Sequence, residues 1–279
     1  MPELPEVEVI CRGLAPLVKN RRIMAVSFSN KRLRKPFLRG KMYRFAEGAF
    51  ILGVERRGKY LLLRLTGKAL LLVHLGMTGK LGLFAADSPR RKHDHVRFLL
   101  DNGKELRFND VRRFGSVEIF SARELRGQDP FAGLGPEPFS EEFSADYLLV
   151  RARGKKTAVK SFLMDNSVVV GLGNIYANET LFAACTHPET PVHRLPRMDW
   201  QLLVRMSRAI LERAIAMGGS TISDYENASG EPGRFQLELA VYGRKGQPCP
   251  RCRETIVRTL LAGRATYHCP RCQPAPTGG

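Results

Sequence analysis

Long hydrophobic runs are missing from this sequence of 279 residues. The longest apolar stretches, such as YLLLRL and ALLLVHLG, have the length of strands and are too short to cross a bilayer. The first residues are acidic, whereas a secretory signal begins with basic residues followed by an apolar segment. The sequence therefore predicts a cytoplasmic protein without membrane-spanning segments.

Acidic residues are scarce, with 27 Asp and Glu against 45 Lys and Arg, which gives a formal net charge of +18. A charge of this size concerns the binding partner rather than the fold. It indicates a polyanionic partner, either a nucleic acid or an anionic membrane surface. The membrane surface is the less favoured partner because the sequence contains no basic amphipathic anchor.

Cysteine is limited to six residues. Four of them form one pattern: Cys249-x2-Cys252, sixteen intervening residues, and Cys269-x2-Cys272. This spacing is typical of a zinc site with four thiolate ligands. Two disulfides are the alternative, which a reducing cytosol disfavours. Cys11 and Cys185 lie in apolar helical stretches, where we expect buried and unreactive thiols.

The amino terminus, MPELPEVE, combines two prolines with three glutamates. Proline suits the first turn of a helix, and glutamates there interact favourably with the positive end of the helix dipole. Apolar residues then recur at helical spacing, at Val7, Ile10, Cys11, Leu14 and Val18. A capped helix accounts for Pro5, Glu6 and Glu8. It does not account for Pro2 and Glu3, which precede it.

Three different sequence patterns follow the first helix. Residues 22–120 contain short runs rich in Val, Ile, Leu and Phe with turn signals between them, which predicts a series of strands and a β-sandwich or flattened barrel. Prolines and glycines mark a linker at 127–140. The pattern beyond it is helical. One apolar stripe, which we interpret as core, comprises Leu203, Met206, Ile210, Ala214 and Met217.

These sequence patterns predict an α+β multidomain protein. The expected parts are an N-terminal helix with a β-sandwich at 1–126, a linker at 127–140, a helical domain at 141–236, a zinc module at 237–273 and a tail at 274–279. The helical domain includes a long polar loop at 220–236, and loops of this length are usually functional or disordered.

A glycine-flanked helix start in VVVGLGNIYANE is a candidate phosphate site. Gly171 and Gly173 allow a tight turn into a helix that begins near Asn174, and a helix N-terminus can hold a phosphate. The neighbouring stretch RARGKKTAVK is basic, which favours phosphate contact over a merely solvated surface.

Two turns between predicted strands place apolar side chains where a base stack could receive them. NDVRRFGS sets Phe114 beside Arg112 and Arg113, and HLGMTG sets Met77 in a turn. Each residue alone more often packs in a core. Together they indicate a surface that inserts into stacked bases, with arginine making polar contacts.

Ten motifs occur in order along residues 2–273: PELPEVE, RRGKYLL, HLGMTG, KHDHV, RRFG, LGPEP, KTAVKSFLMDN, VVGLGNIYANE, VYGRKGQPCPRC and GRATYHCPRC. This ordered set resembles the bacterial formamidopyrimidine-DNA glycosylases, also called 8-oxoguanine DNA glycosylases. The resemblance implies a catalytic β-sandwich domain, a helix-two-turn-helix DNA-binding domain and a zinc-finger β-hairpin.

The resemblance implies that Pro2, exposed by removal of Met1, is the nucleophile. An α-amino group has a pKa of about 7.7–8.0 against about 10.4 for lysine, so it keeps a useful neutral fraction near pH 7. The amine would attack C1′ of the damaged nucleotide and expel the base as an iminium forms. Glu3 would transfer protons, Glu6 would order the amine, and Lys59 would contact the phosphate near the lesion.

By the same resemblance, Met77, Arg112 and Phe114 fill the gap left by an extruded base. His74, Asn174 and Arg264 hold phosphates around the lesion, and Lys156 is a further candidate for DNA contact. Arg264 is also counted with the catalytic residues, and the loop at 220–236 would close over the extruded base.

The partner and cofactor expectations follow. We expect a monomer that binds damaged duplex DNA near the nucleoid, with one structural zinc ion and no redox or nucleotide cofactor. The alternatives are an endonuclease VIII-like enzyme for oxidised pyrimidines and a non-catalytic zinc protein that binds DNA. Leu4 and the turn from Arg112 to Phe114 disfavour the first. The presence of Pro2, Glu3 and Glu6 disfavours the second. One departure from the family pattern is Val111, where proline is expected before the arginines.

Overall fold

The fold is given by a computed structural model, which describes residues 2–219 and 238–276. These residues form two compact units. The first unit contains residues 2–132 with 217–219, and the second contains residues 133–216 with 238–276. Of the predictions above, the loop at 220–236 falls outside the described residues.

The first unit begins with the predicted amphipathic helix. Glu3 is its N-cap and Pro5 lies in its first turn, as the helix-start signals indicate. The apolar positions at helical spacing are all buried, which confirms the predicted stripe. The helices of this unit are α1 (Leu4–Val18), α2 (Arg39–Ala46) and α3 (Ala122–Gly127).

Eight strands build a β-sandwich in the first unit, which confirms the predicted fold. They are β1 (Ile23–Phe28), β2 (Ile51–Arg57), β3 (Tyr60–Leu65), β4 (Leu70–His74), β5 (Gly79–Ala85), β6 (Asp94–Leu100), β7 (Lys104–Asp110) and β8 (Ser116–Phe120). One sheet has the order β1-β6-β7-β5 and the other β2-β3-β4-β8. All neighbouring pairs are antiparallel, and inward-facing residues of both sheets join α1 in one apolar core.

The predicted series of strands over residues 22–120 missed one α-helix. Residues 39–46 form α2, which turns Met42 and Ala46 into the core and leaves Arg39 and Arg44 exposed. The strand β5 was also not predicted, because GKLGLFA has two glycines and only weak alternation. Gly82 and Leu83 are nevertheless held in a regular ladder with β7.

The second unit is helical at first and ends in a β-hairpin. Its elements are α4 (Ala145–Ala152), α5 (Val159–Leu163), α6 (Asn174–Ala183), α7 (Arg197–Ala216), β9 (Val257–Leu261) and β10 (Arg264–His268). Helix α7 ends before Gly218-Gly219, as predicted, but its buried face is displaced from the predicted stripe. Leu203, Ser207 and Leu211 are buried, whereas Met206 and Ile210 are half-buried.

Across the part of the chain that the structure describes, no helix combines the length and apolar character needed to cross a membrane.

Candidate active site and zinc centre

The start of α1 buries two carboxyl groups next to Pro2. Glu3 is 1% exposed and Glu6 is 2% exposed. The backbone N–H of Glu3 donates to Oε2 of Glu6 at 2.8 Å, so the first turn of the helix fixes the residue that follows Pro2. Gly219 lies against the same side chain, because a Cβ at this glycine would be 3.2 Å from Oε1 of Glu6.

Lys59 lies in the two-residue turn between β2 and β3 rather than inside a strand. Gly58 precedes it with a φ of +55°, a conformation that favours glycine. Arg56 ties this turn to α1, because its Nε donates to Glu8 at 2.7 Å and its Nη1 donates to the carbonyl of Gly58 at 3.1 Å. Burial tends to raise the pKa of Glu8, but hydrogen bonds from the arginines Arg56 and Arg12 hold it below the ordinary value.

His74 ends β4 beside the Lys59 turn, and its ring packs against Tyr60 with centroids 4.8 Å apart. Burial, and to a lesser extent the charge of Lys59, lowers the pKa of His74 to about 4. The N–H of Gly76 donates to Nδ1 at 3.0 Å, so the neutral ring carries its proton on Nε2. His74 is therefore an uncharged hydrogen-bond donor at neutral pH.

The two predicted insertion turns are neighbours at one end of the sandwich. Met77 lies in the β4–β5 loop (residues 75–78) and is half-buried, whereas Phe114 lies in the β7–β8 loop (residues 111–115) and is 46% exposed. The guanidinium of Arg112 lies 4.8 Å from the Phe114 ring centroid. The structure thus places these three residues on adjoining loops. Val111 is exposed in the same loop.

In the second unit, Asn174 and Arg264 are joined through one strand. Asn174 begins α6 after the N-cap Gly173, as predicted, and its Nδ2 donates to the carbonyl of Ala265 at 3.0 Å. Arg264 is the exposed first residue of β10. Lys156 is exposed in the loop before α5.

Two buried ionisable residues of the second unit were not predicted. Lys160 is 1% exposed and donates to Ala265 O at 3.0 Å and to Thr266 Oγ1 at 2.7 Å. Glu179 on α6 accepts backbone N–H groups of residues 240, 241 and 242 at 2.8–3.0 Å. Burial raises its pKa despite these three bonds. A basic run and a helical pattern gave no sign that these two residues point inward.

The four predicted zinc ligands converge. Their sulfur atoms all lie within 4.8 Å of one another, and three of the pairs are 3.4–3.9 Å apart. A tetrahedral zinc ion with bonds of about 2.3 Å requires sulfur–sulfur distances of about 3.8 Å. Backbone N–H groups also point at Cys249 and Cys269, which suits thiolates. The residues fit one structural zinc ion.

The six cysteines are free thiols, so the disulfide alternative is wrong. Cys11 is buried, as predicted, and burial raises the pKa of its thiol to about 11. The prediction for Cys185 is wrong, because this residue is exposed. It follows the end of α6 with a φ of +52°, and Nη1 of Arg251 lies 3.0 Å from its sulfur.

Three family models match the chain in the order of its parts. The Formamidopyrimidine-DNA glycosylase N-terminal domain matches residues 1–117, and the Formamidopyrimidine-DNA glycosylase H2TH domain matches residues 134–226. The zinc finger found in FPG and IleRS matches residues 246–275.

Individual proteins match over nearly the whole chain. Formamidopyrimidine-DNA glycosylase of Escherichia coli O6:K15:H31 is 46% identical over 273 residues, which is 98% of this chain and 100% of the relative. Two crystal structures of Lactococcus lactis Fpg, one with Fapy-dG-containing DNA and one with DNA containing an abasic site, match with TM-scores of 0.89 at 35% identity. Both cover 98% of this chain, and the matches span 100% and 99% of the respective relatives. This chain therefore belongs to the formamidopyrimidine-DNA glycosylase family of DNA repair enzymes.

Proposed function

We propose that this protein excises oxidised purines, 8-oxoguanine and formamidopyrimidines, from duplex DNA and then cuts the strand at the resulting site. The observation that carries the proposal is the buried pair of carboxyl groups at Pro2, with Glu6 holding the backbone of Glu3. A catalytic amine needs a fixed position and a nearby proton donor, and this arrangement supplies both.

The proposed chemistry begins at the amine of Pro2 after removal of Met1. Its nitrogen bonds to C1′ as the bond from C1′ to the base breaks, the base leaves with a proton, and the nitrogen loses its own N–H proton. The lone pair of this nitrogen then forms the C=N bond as the bond from C1′ to the sugar ring oxygen breaks, which gives a charged iminium. Glu3 delivers a proton to the sugar ring oxygen and later shuttles protons. The iminium acidifies the 2′ carbon, so β-elimination and then δ-elimination release both phosphates.

The proposed DNA contacts divide by charge. Lys59 and Arg264 are cations that pair with phosphates and displace counterions. His74 contributes a neutral donor at Nε2, and Asn174 contributes an amide donor. The zinc ion would hold the fold of the hairpin that carries Arg264, and it would take no part in bond cleavage.

The domain boundaries given from the sequence, the monomeric state and the cytoplasmic, nucleoid-associated location belong to the same proposal. The net charge of +18 supports an association with DNA. Light scattering after gel filtration, without and with duplex DNA, measures the oligomeric state. We expect one copy of the chain in each sample.

The proposed function is tested with duplexes that carry 8-oxoguanine opposite cytosine. We expect release of the base and a gap with phosphates on both ends. Glu3→Gln should slow excision about 10²–10⁴-fold, the usual contribution of general acid–base catalysis, while retaining DNA binding. Glu55→Gln, which changes an exposed carboxyl group on β2, is the control and should match the wild type. Faster cleavage of oxidised pyrimidines than of 8-oxoguanine would favour the endonuclease VIII-like alternative.

A further inference from the structure

A buried carboxylate lies where the β4–β5 loop meets the β7–β8 loop. Asp110, the last residue of β7, is 0% exposed. Its Oδ1 accepts the hydroxyl of Thr78 at 2.6 Å, and its Oδ2 accepts the N–H of Gly115 at 2.8 Å. One side chain therefore bonds both loops.

Thr78 and the backbone of Arg112 complete this network. The N–H of Arg112 points at two acceptors, Oγ1 of Thr78 at 3.1 Å and Oδ1 of Asp110 at 3.2 Å. The backbone of Arg112 is thus hydrogen-bonded to the loop that carries Met77. Thr78 forms a bridge, since its hydroxyl donates to Asp110 and accepts from Arg112.

The main chain of Asp110 is held from the opposite side. Its N–H donates to the carbonyl of His93 at 3.1 Å, and its own carbonyl accepts Nε2 of His95 at 2.9 Å. His95 is 1% exposed and bonds Ser29 through Nδ1 at 2.9 Å. Because these groups are buried, movement of Asp110 would leave polar atoms without partners, which is costly.

The backbones of the two loops are also in contact. A Cβ at Gly76 would lie 2.5 Å from the nitrogen of Gly115 and 2.5 Å from the carbonyl carbon of Phe114. A Cβ at Gly115 would lie 2.7 Å from the carbonyl oxygen of His74. This close approach requires glycine at both positions, because a larger side chain at either one would push the two loops apart.

We propose that Asp110 and Thr78 clamp the two loops into one preformed unit, so that Met77, Arg112 and Phe114 enter the base stack together. Asp110 and Thr78 are positioning residues, because the clamp acts through the three side chains that would meet the DNA. The proposal rests on the proposed function, since it assumes that a base is extruded. A preformed unit spends little entropy on ordering its loops when it inserts.

Thr78→Val tests the clamp because valine keeps the shape of threonine and removes the bridging hydroxyl. We expect single-turnover excision from an 8-oxoguanine duplex to slow about tenfold, which corresponds to ~1.4 kcal/mol and to the loss of about one buried hydrogen bond. Strand cleavage at a preformed abasic site, where no base is extruded, should change less than about twofold. Thr78→Ser retains the hydroxyl and should restore excision.

Gly76→Ala supplies an independent test by pushing the loops apart. Gly67→Ala is its matched control, because Gly67 also has a positive φ, +71° against +62°, but has no atom within 4 Å of an added Cβ. We expect Gly76→Ala to slow excision more than abasic-site cleavage and Gly67→Ala to affect both equally or neither.

If Thr78→Val lowers the rates of excision and of abasic-site cleavage equally, and also lowers the melting temperature, then Asp110 and Thr78 have only a structural role. This result would overturn the proposed clamp. Wild-type rates for Thr78→Val on both substrates would also overturn it. Failure of the proposed function has a different signature, since the wild-type protein itself would then not release 8-oxoguanine.

Discussion

The loops of the β-sandwich rest on a continuous apolar core, whereas the hairpin that carries Arg264 rests on a small one. The buried apolar cluster of the zinc module is Phe182, Val241, Cys249, Ile256 and Cys269. Two of these five residues are zinc ligands. The sandwich therefore positions its site residues on a large core that is reinforced by buried side-chain bonds such as those of Asp110, and the zinc module depends on metal and on long-range side-chain bonds.

The zinc module compensates for its small cluster with buried polar groups of the second unit. Lys160 and Asn174 both donate to the carbonyl of Ala265, the residue next to Arg264, and Glu179 binds three consecutive backbone N–H groups. A few specific bonds thus hold the backbone next to Arg264, the side chain that we propose to contact a phosphate. The comparison teaches that similar precision can come from a large core or from a metal with a few buried hydrogen bonds.

Loss of zinc should produce the largest effect, and it should be confined to one unit. Cys249→Ser removes a ligand, so we expect loss of the metal, local unfolding of the hairpin and about a hundredfold weaker DNA binding. Metal analysis, fluorescence anisotropy and calorimetry measure these three results. The sandwich should keep its melting transition. Cys185→Ser, at an exposed thiol outside the zinc site, should behave as the wild type.

Two substitutions should distinguish the phosphate contacts that we propose for the two units: Arg264→Gln removes a cation, and His74→Gln removes a neutral donor. Arg264→Gln should weaken binding about tenfold and reduce the slope of log K against log salt by about 0.9, because one counterion fewer is released. His74→Gln should weaken binding with an unchanged slope, because His74 is neutral. A slope change for His74→Gln at pH 6 or pH 8 would contradict this assignment.

The bond between Arg56 and Glu8 should matter for the turn that carries Lys59. Arg56→Met leaves Glu8 and the carbonyl of Gly58 without this partner, and we expect a loss of about 2 kcal/mol, or ~4–8 °C in melting temperature. Arg12→Met is the matched control, because Arg12 bonds the same carboxylate from a side chain that is 67% exposed. Its effect should stay below about 1 kcal/mol. Equal shifts for both variants would contradict the role of burial.

Acidification should produce the smallest effect, a loss of stability of the β-sandwich. The pKa of His74 is about 4 in the folded protein, below its ordinary value of 6.5, so between these values the unfolded chain binds more protons. Stability is therefore lost as pH falls from about 6.5 towards 4, by about 1 kcal/mol for this residue at pH 5.5. His74→Gln should flatten the melting temperature profile over this range, and an unchanged profile would contradict the assignment.

The sequence was sufficient to predict the parts whose signals are local. Helical spacing located α1, cysteine spacing located the zinc ligands, and glycines located the start of α6 at Asn174. The positions of Met77 and Phe114 in loops between strands also follow from short segments of sequence. Each of these features depends on residues that are close in the chain, so one window of sequence contains the information.

The groups that fix the site could not be predicted, because their partners are distant in the chain. Lys160 bonds a strand more than a hundred residues away, and Arg56 bonds a helix 48 positions earlier. Asp110 resembles any acidic residue at a strand end until Thr78 is placed beside it. Cys185 was wrongly predicted to be buried because the apolar pattern of α6 continues to the residues just before it, after the helix has ended.

The central claim is that the amine of Pro2 forms the covalent intermediate, and borohydride trapping tests it most directly. The protein is incubated with borohydride and a duplex that carries 8-oxoguanine opposite cytosine, and the adduct is digested and sequenced by mass spectrometry. We predict one adduct, on an N-terminal Pro2 that lacks Met1, and a much lower yield of adduct for Pro2→Gly, which replaces the secondary amine by a primary amine. An adduct on Lys59 or on another lysine would contradict the account.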